Sequence, residues 1–158
     1  MKKLIILGAI LLFSISSYGE ELKIFSCDRQ HSLKQESPRE FIMVNKDKRN
    51  AKVKITHEIY GGAIDSSTST FVVYGSPFHL SNDNPQLMVV SIYKNMIKPR
   101  LYMRRYLGGG IYGVNFSKDH QYIVANTRFG DFVANVRTGQ SELRSPSEPV
   151  AVAIADCR

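Results

Sequence analysis

Apolar and polar residues alternate with a period of two along most of this chain, and a helical period of 3.6 is hard to find. Segments of this kind, rich in β-branched and aromatic residues and bounded by turn residues, predict β-strands. The predicted strands are residues 22–27, 41–44, 52–60, 70–74, 86–93, 100–106, 111–117, 122–126, 131–137 and 150–157. Short polar connections between several of them predict antiparallel hairpins.

An antiparallel sheet of this size must cover its apolar face and protect its edges, and closure achieves both. The pattern therefore predicts an all-β fold with no confident helix. We expect a single antiparallel meander of roughly 8 to 10 strands, closed into a small barrel or sandwich.

The first nineteen residues have the pattern of a cleaved signal peptide. Lys2 and Lys3 precede an apolar run at residues 4–13, and Ser17 and Gly19 occupy the small-residue positions before a cut. The run is shorter than the roughly 20 residues that span a bilayer, and no later segment is long enough to do so. We therefore expect a secreted or periplasmic protein in which residues 20–158 form one β domain without a transmembrane segment.

The chain has two cysteines, Cys27 and Cys157. In an exported protein an even pair predicts a disulfide, and this one would join the two ends of the domain. Closing so long a loop would stabilise the fold by roughly 4 to 5 kcal/mol in the chain-entropy account. Neither a Cys-x-x-Cys motif nor a neighbouring histidine favours a redox or metal role.

Residues 114–143, VNFSKDHQYIVANTRFGDFVANVRTGQSEL, resemble a single blade of a WD-type β-propeller, with a polar turn, a strand, a glycine turn, a second strand and a final Thr-Gly. The segment contains a short echo, VANTRFG at 124–130 and VANVRTG at 133–139. The chain has no tryptophan, and a propeller needs at least about four blades of roughly 40 residues. The segment is therefore interpreted as part of the single closed sheet.

The formal net charge is +7, and removal of Lys2 and Lys3 would leave 21 − 2 = 19 basic against 14 acidic residues, or +5. This balance favours an anionic partner, which could be a lipid headgroup, a polysaccharide or a protein surface. Nucleic acid is an improbable target outside the cytoplasm. Composition does not predict the oligomeric state.

The segment YKNMIKPRLYMRRY at 93–106 concentrates basic and aromatic residues. Strand alternation places Arg100, Tyr102, Arg104 and Tyr106 on one face, with Lys94 and Lys98 nearby. Such a stripe can attract anions and stack flat groups. Arg105 falls on the opposite, apolar side, where it would lie near a barrel mouth or pair with a buried carboxylate. The alternative is an ordinary solvated sheet face.

The glycines at 108–110 do not predict a phosphate-binding loop, because the segment after them is a strand and not a helix. We expect them to supply positive φ angles in a tight connection, and we expect Gly113 to mark a bulge.

Catalytic and metal signatures are missing from the sequence. No two histidines have metal-ligand spacing, and no cofactor motif is present. His57 lies on the apolar side of its predicted strand and is interpreted as a hydrogen-bonded interior histidine. We predict neither catalytic residues, a metal site nor a cofactor, and we expect the protein not to be an enzyme.

Three functions are compatible with these observations. The first is a binding protein that grips an anionic partner through the basic and aromatic stripe. The second is a small lipocalin-like carrier of an apolar ligand, with His57 and Arg105 as its inward polar groups. The third is an inhibitor of an extracellular hydrolase. The chain is similar in outline to periplasmic lysozyme inhibitors, although their Ser-Gly-x-x-Tyr signature is missing and a +5 charge would repel basic lysozymes.

Overall fold

The computed structural model describes residues 22–47, 49–79, 86–148 and 152–155. These residues form three four-stranded antiparallel sheets and no helix. Sheet I contains β1 (Lys23–Phe25), β2 (Ser32–Ser37), β3 (Glu40–Val44) and β4 (Asn50–Lys54). Sheet II contains β5 (Gly61–Asp65), β6 (Thr70–Gly75), β7 (Met88–Lys94) and β8 (Arg100–Leu107). Sheet III contains β9 (Ile111–Phe116), β10 (Tyr122–Thr127), β11 (Gly130–Asn135) and β12 (Ser141–Arg144).

The all-β prediction is confirmed, but the single closed meander is wrong. Twelve strands divide into three sheets, and the described residues form no closed barrel. The division occurs where one long strand was expected at 52–60, because β4 ends at Lys54 and the chain enters sheet II at Gly61. Each sheet is a sequential meander, so hairpin pairing operates within a sheet and not around a barrel.

Sheet II is apolar on both faces, and this property explains the stacking of the three sheets. In β6, Phe71 and Val73 pack toward sheet I, whereas Val72 packs toward sheet III. In β7, Tyr93 packs toward sheet I and Ile92 packs toward sheet III. A strand buried on both faces has a nearly continuous apolar sequence, as in FVV and MVVSIY. One core therefore lies on each side of sheet II.

The innermost strands of the three sheets are neighbours, because β1 contacts β5 and β5 contacts β9. Four-stranded meanders with adjacent first strands have the arrangement of successive propeller blades. Residues 114–143, the segment that resembles a propeller blade, run from β9 to β12 of sheet III.

The predicted strand at 150–157 is described only at residues 152–155, where Ile154 forms an isolated bridge with Ser117 and no strand is present. Two further sequence predictions lie outside the described residues. The signal peptide at 1–19 is one of them. The disulfide also remains a prediction, since Cys157 is not among the described residues. Nearby, Ala155 donates its backbone N–H to Phe116 O at 2.9 Å, and Ala155 and Cys27 line the same small cavity. That placement brings the two ends of the domain to the same region.

Candidate functional site: the β8 edge

The basic and aromatic segment forms β8, the outer strand of sheet II. We call residues 94–107 the β8 edge; it consists of Lys94 at the end of β7, the following turn and β8. β8 pairs with β7 on one side and is the last strand of its sheet. Its exposed residues are Arg100, Leu101, Tyr102, Arg105 and Tyr106. An exposed edge strand offers both side chains and unpaired backbone groups to a partner.

A β-bulge divides the predicted stripe. Ile92 pairs with Met103 and Tyr93 pairs with Leu101, so Tyr102 is an extra residue in β8. The Tyr102 hydroxyl donates to Arg137 O of sheet III at 3.1 Å. Arg104, by contrast, pairs with Ser91 on the side that faces sheet I. The expectation that Tyr102 and Arg104 share one face was therefore wrong, because a bulge interrupts simple alternation.

Two cations are positioned by local contacts at the start of the β8 edge. The Lys94 ammonium lies 3.7 Å from the centre of the Tyr102 ring, and Lys94 pairs across the strands with Arg100. In the preceding turn, Asn95 Oδ1 accepts hydrogen bonds from the backbone N–H groups of Ile97 and Lys98. Lys94, Lys98 and Arg100 therefore lie at one end of the strand, beside an exposed aromatic ring.

Arg104 and Arg105 differ in burial. Arg104 is half-buried, and its Nε lies 3.4 Å from Ser91 Oγ. Arg105 is exposed, and its Nε donates to Ser141 Oγ of sheet III at 3.3 Å. The expectation that Arg105 points into an interior is wrong, because its strand is an edge and its long side chain reaches past the core to solvent.

The β8 edge concentrates positive charge, and Asp119 lines the same small cavity as Lys94. No acidic residue occurs in the sequence between Asp83 and Asp119. Ion pairs among the described residues lie elsewhere, on Asp47, Glu36, Asp65 and Glu142. None of these ion pairs includes a cation of the β8 edge, namely Lys94, Lys98, Arg100, Arg104 and Arg105. A field of one sign attracts anions over distances of about 10 Å, the screening length at moderate salt.

His57 is buried behind the β8 edge, with 1% of its surface exposed. Its Nδ1 donates to Glu58 O at 2.6 Å, so its Nε2 accepts from Ser91 Oγ at 2.9 Å. Burial lowers the pKa of His57. The hydrogen bond to Glu58 O raises that pKa in part, and the positive charge of Arg104 lowers it further. Ser91 is fully buried as well, so this serine–histidine pair is shielded from solvent.

Tyr93 is a further buried polar residue near Arg104, in addition to His57 and Ser91. Its ring stacks on Phe71 at 4.9 Å, and its hydroxyl is buried without a hydrogen-bond partner among the described residues. Burial raises the pKa of Tyr93, and the nearby Arg104 charge opposes that rise. Sequence reasoning missed Ser91, although a polar residue inside the apolar strand MVVSIYK was an available signal.

The glycine loop after β8 packs against an aromatic ring. Gly109 and Gly110 have positive φ angles of 81° and 76°, as the sequence predicted, whereas the φ angle of Gly108 is not positive. A Cβ atom on Gly109 would lie 2.6 Å from the Phe129 ring. The register between β9 and β10 shifts beside Gly113, where a bulge was expected. The loop therefore serves a close backbone approach and not phosphate binding.

A repeated turn lies at the end of the sheets opposite this glycine loop. In SCDRQH (26–31) and SKDHQY (117–122), a serine hydroxyl donates to the aspartate two residues later at 2.5 Å. Asp28 bonds across to Ser66 at 2.8 Å, and Asp65 bonds to His120 at 3.2 Å. The bond from Ser26, followed by that from the Gln30 backbone, lowers the pKa of Asp28 to about 2. These contacts join neighbouring sheets.

Over the described ranges, no group of three or more His, Cys, Asp or Glu side chains could hold a metal ion. The same residues contain no helix that is long and apolar enough to cross a membrane. His57 and Arg105 were expected to line a carrier interior, and neither lines any of the four main cavities of the described part of the chain.

No family model matches the chain, and no curated protein matches its sequence. Among solved structures, the chain is similar to the AfRom2 CNH domain, with a TM-score of 0.50 and 9% identity over 77% of this chain. It also aligns with dihydro-heme d1 dehydrogenase NirN in complex with DHE, with 12% identity over 82% of this chain and a TM-score of 0.31. The alignments cover 40% and 36% of those two chains. At such identities, the first likeness concerns the fold alone.

Proposed function

We propose that this protein is a secreted or periplasmic non-catalytic binding protein whose β8 edge holds an anionic partner, either a lipid headgroup or a polysaccharide. The observation that carries the proposal is the group of five cations without an ion-pair partner among the described residues, set beside exposed tyrosines. Arg100, Arg105 and Lys98 are exposed and supply charge. Tyr106, with 59% exposure, and Tyr102 supply flat surfaces that pack against sugars or headgroups.

The sequence predicted that Arg104 would contact the partner directly, but in this proposal it acts mainly through its charge. It is half-buried and held near Ser91, so it contributes charge without presenting a fully exposed guanidinium. Export supports the choice of partner, because lipid surfaces and polysaccharides are the abundant anions outside the cytoplasm. The signal peptide that implies export is itself a sequence prediction.

The test is a double charge reversal, Arg100→Glu with Arg105→Glu. Vesicles containing phosphatidylglycerol, vesicles of phosphatidylcholine alone, and immobilised heparin are the probes. Each basic residue near an anionic surface contributes about 1 kcal/mol, so the loss of two should weaken binding roughly 30-fold. Binding should also decrease with salt.

The control is Lys46→Glu with Lys118→Glu, which changes the charge equally at exposed positions outside residues 94–107. If both double variants lose affinity equally, net charge alone accounts for the binding and the β8 edge is not the site. If the wild-type protein binds neither phosphatidylglycerol vesicles nor heparin, the proposal is rejected. A difference between the two probes identifies the partner class.

A further inference from the structure

A second surface feature lies between sheets I and II, at the end where the β2–β3 turn is located. It is a cleft of about 690 Å³ lined in part by Arg39, Lys54, Ile55, Phe78 and His79. We call it the Arg39 cleft. Small-molecule sites commonly occupy clefts of about 300 to 1,000 Å³, so the volume suits a ligand of modest size.

The walls of the Arg39 cleft are held by backbone contacts from both sheets. Ile55 N donates to Arg39 O at 3.1 Å, and Ile55 is 1% exposed, so it lies in the core directly beneath the floor of the cleft. On the other side, Pro77 forms a β-bridge with His57, and Ser76 O accepts from Glu58 N at 2.8 Å. These bonds fix the spacing of the two walls before any ligand binds.

The side chains around this floor combine positive charge with an aromatic face. The Arg39 guanidinium carbon lies 4.7 Å from the centre of the Phe78 ring. Lys54 and His79 add two further nitrogen-bearing side chains, and Glu40 is a carboxylate in the lining. No ion pair among the described residues involves Arg39, Lys54 or His79. Donors for an acid group thus surround an apolar surface.

We propose that the Arg39 cleft binds a small organic anion with a flat apolar body, in the class of aromatic phosphates and carboxylates. Arg39 and Lys54 hold the acid group, since charged donors bind phosphate and carboxylate oxygens more strongly than neutral donors do. Phe78 contacts the flat body. This site is separate from the β8 edge and does not depend on the function proposed there.

The experiment is a titration of the purified protein with phenyl phosphate, followed by amide chemical shifts in two-dimensional NMR. Saturable shifts centred on Arg39, Phe78 and His79 are expected. Benzyl alcohol, which keeps the ring without the charge, and inorganic phosphate, which keeps the charge without the ring, should each bind at least about tenfold more weakly, since a charged hydrogen bond or a buried ring contributes 1.4 kcal/mol or more. Equal binding of either control compound would overturn the proposal.

Variants locate the site. Arg39→Gln and Lys54→Gln should each weaken phenyl phosphate binding roughly 10-fold, whereas Lys46→Gln at an exposed turn should leave it unchanged. Using two independent variants guards against a folding defect in one, and the amide spectrum reports folding directly. Unchanged affinity in both, or no saturable shift in the wild type, would overturn the proposal. The Arg100→Glu and Arg105→Glu protein should still bind phenyl phosphate.

Discussion

His57 Nε2 accepts a hydrogen bond from Ser91 Oγ at 2.9 Å, and this contact connects the chain segment between sheets I and II to the centre of β7. Both residues are buried, with exposures of 1% and 0%. A buried acceptor that loses its donor costs about 1 to 3 kcal/mol. The pair therefore contributes to how sheet I packs on sheet II.

Replacing Ser91 with alanine should lower the free energy of unfolding by about 1 to 3 kcal/mol, because His57 Nε2 would then be buried without a donor. Urea unfolding monitored by circular dichroism measures the change. Ser147→Ala, at an exposed position, should change stability by no more than about 0.5 kcal/mol. Equal stability of the two variants would show that the His57–Ser91 bond contributes nothing.

Stability should fall as the pH drops below about 6.5, the ordinary histidine pKa. Burial lowers the pKa of His57 in the folded protein, so below that pH the unfolded chain takes up a proton that the folded chain does not. Above about 6.5 both states are neutral at this position and the contribution is complete. Urea unfolding across a pH series should show a smaller loss in His57→Gln than in the wild type. Parallel curves would contradict the assignment.

A second loss of stability should occur in stronger acid. The pKa of Asp28 is lowered from 3.8 to about 2, first by the Ser26 hydroxyl and then by the Gln30 backbone. Its ionised form therefore stabilises the fold above pH 3.8, and this contribution disappears as the pH falls toward 2. Asp28→Asn should remove this part of the acid transition. Ser66→Ala should remove only a fraction of it, because Ser66 is a weaker influence on Asp28.

Gly109→Ala should destabilise the protein by about 1 to 3 kcal/mol, since it adds a side chain at a positive φ angle. The new Cβ would also meet the Phe129 ring at 2.6 Å. Gly113→Ala is the matched control, because its Cβ would have open space and its φ is not positive. Thermal unfolding of both variants measures the difference. Similar midpoints would mean that the loop can move away from Phe129.

We expect the mature protein to begin at Glu20, after removal of the predicted signal peptide, and to contain a Cys27–Cys157 disulfide. Peptide mass spectrometry without reductant should detect the two cysteine peptides joined, and reduction should separate them. An unprocessed Met1 terminus, or two alkylated cysteines without reduction, would contradict these predictions. Loss of the disulfide in Cys27→Ser should lower stability by roughly 2 to 5 kcal/mol.

Much of the strand content could be predicted from sequence, because alternating apolar residues within a short segment are enough to indicate a strand. The predicted strands at 41–44, 70–74 and 100–106 lie within β3, β6 and β8. Three strands were not predicted, namely β2 (SLKQES), β5 (GGAID) and β12 (SELR). Their polar or glycine-rich residues form strands because a neighbouring strand supplies hydrogen-bond partners, and composition does not encode that neighbour.

The candidate site was only partly predictable for a related reason. The clustering of cations near Tyr102 and Tyr106 is visible in the sequence, and all of them lie on the β8 edge. Tyr102 and Arg104 lie on opposite faces of sheet II because of one bulge in the pairing of β8 with β7. The Arg39 cleft joins residues 39, 54 and 78, whose proximity requires that sheets I and II pack together.

The amino-acid sequence by itself determined that this chain forms β-strands, that Gly109 and Gly110 have positive φ angles, and that basic residues concentrate near residue 100. These properties follow from steric preferences and side-chain chemistry that act over a few residues. Only the tertiary structure decided that the strands divide into three sheets and which side each arginine faces. The division into sheets depends on which apolar faces pack against one another, and the direction of each arginine depends on one shift of register in β8. Contacts between distant parts of the chain set both the packing and the register.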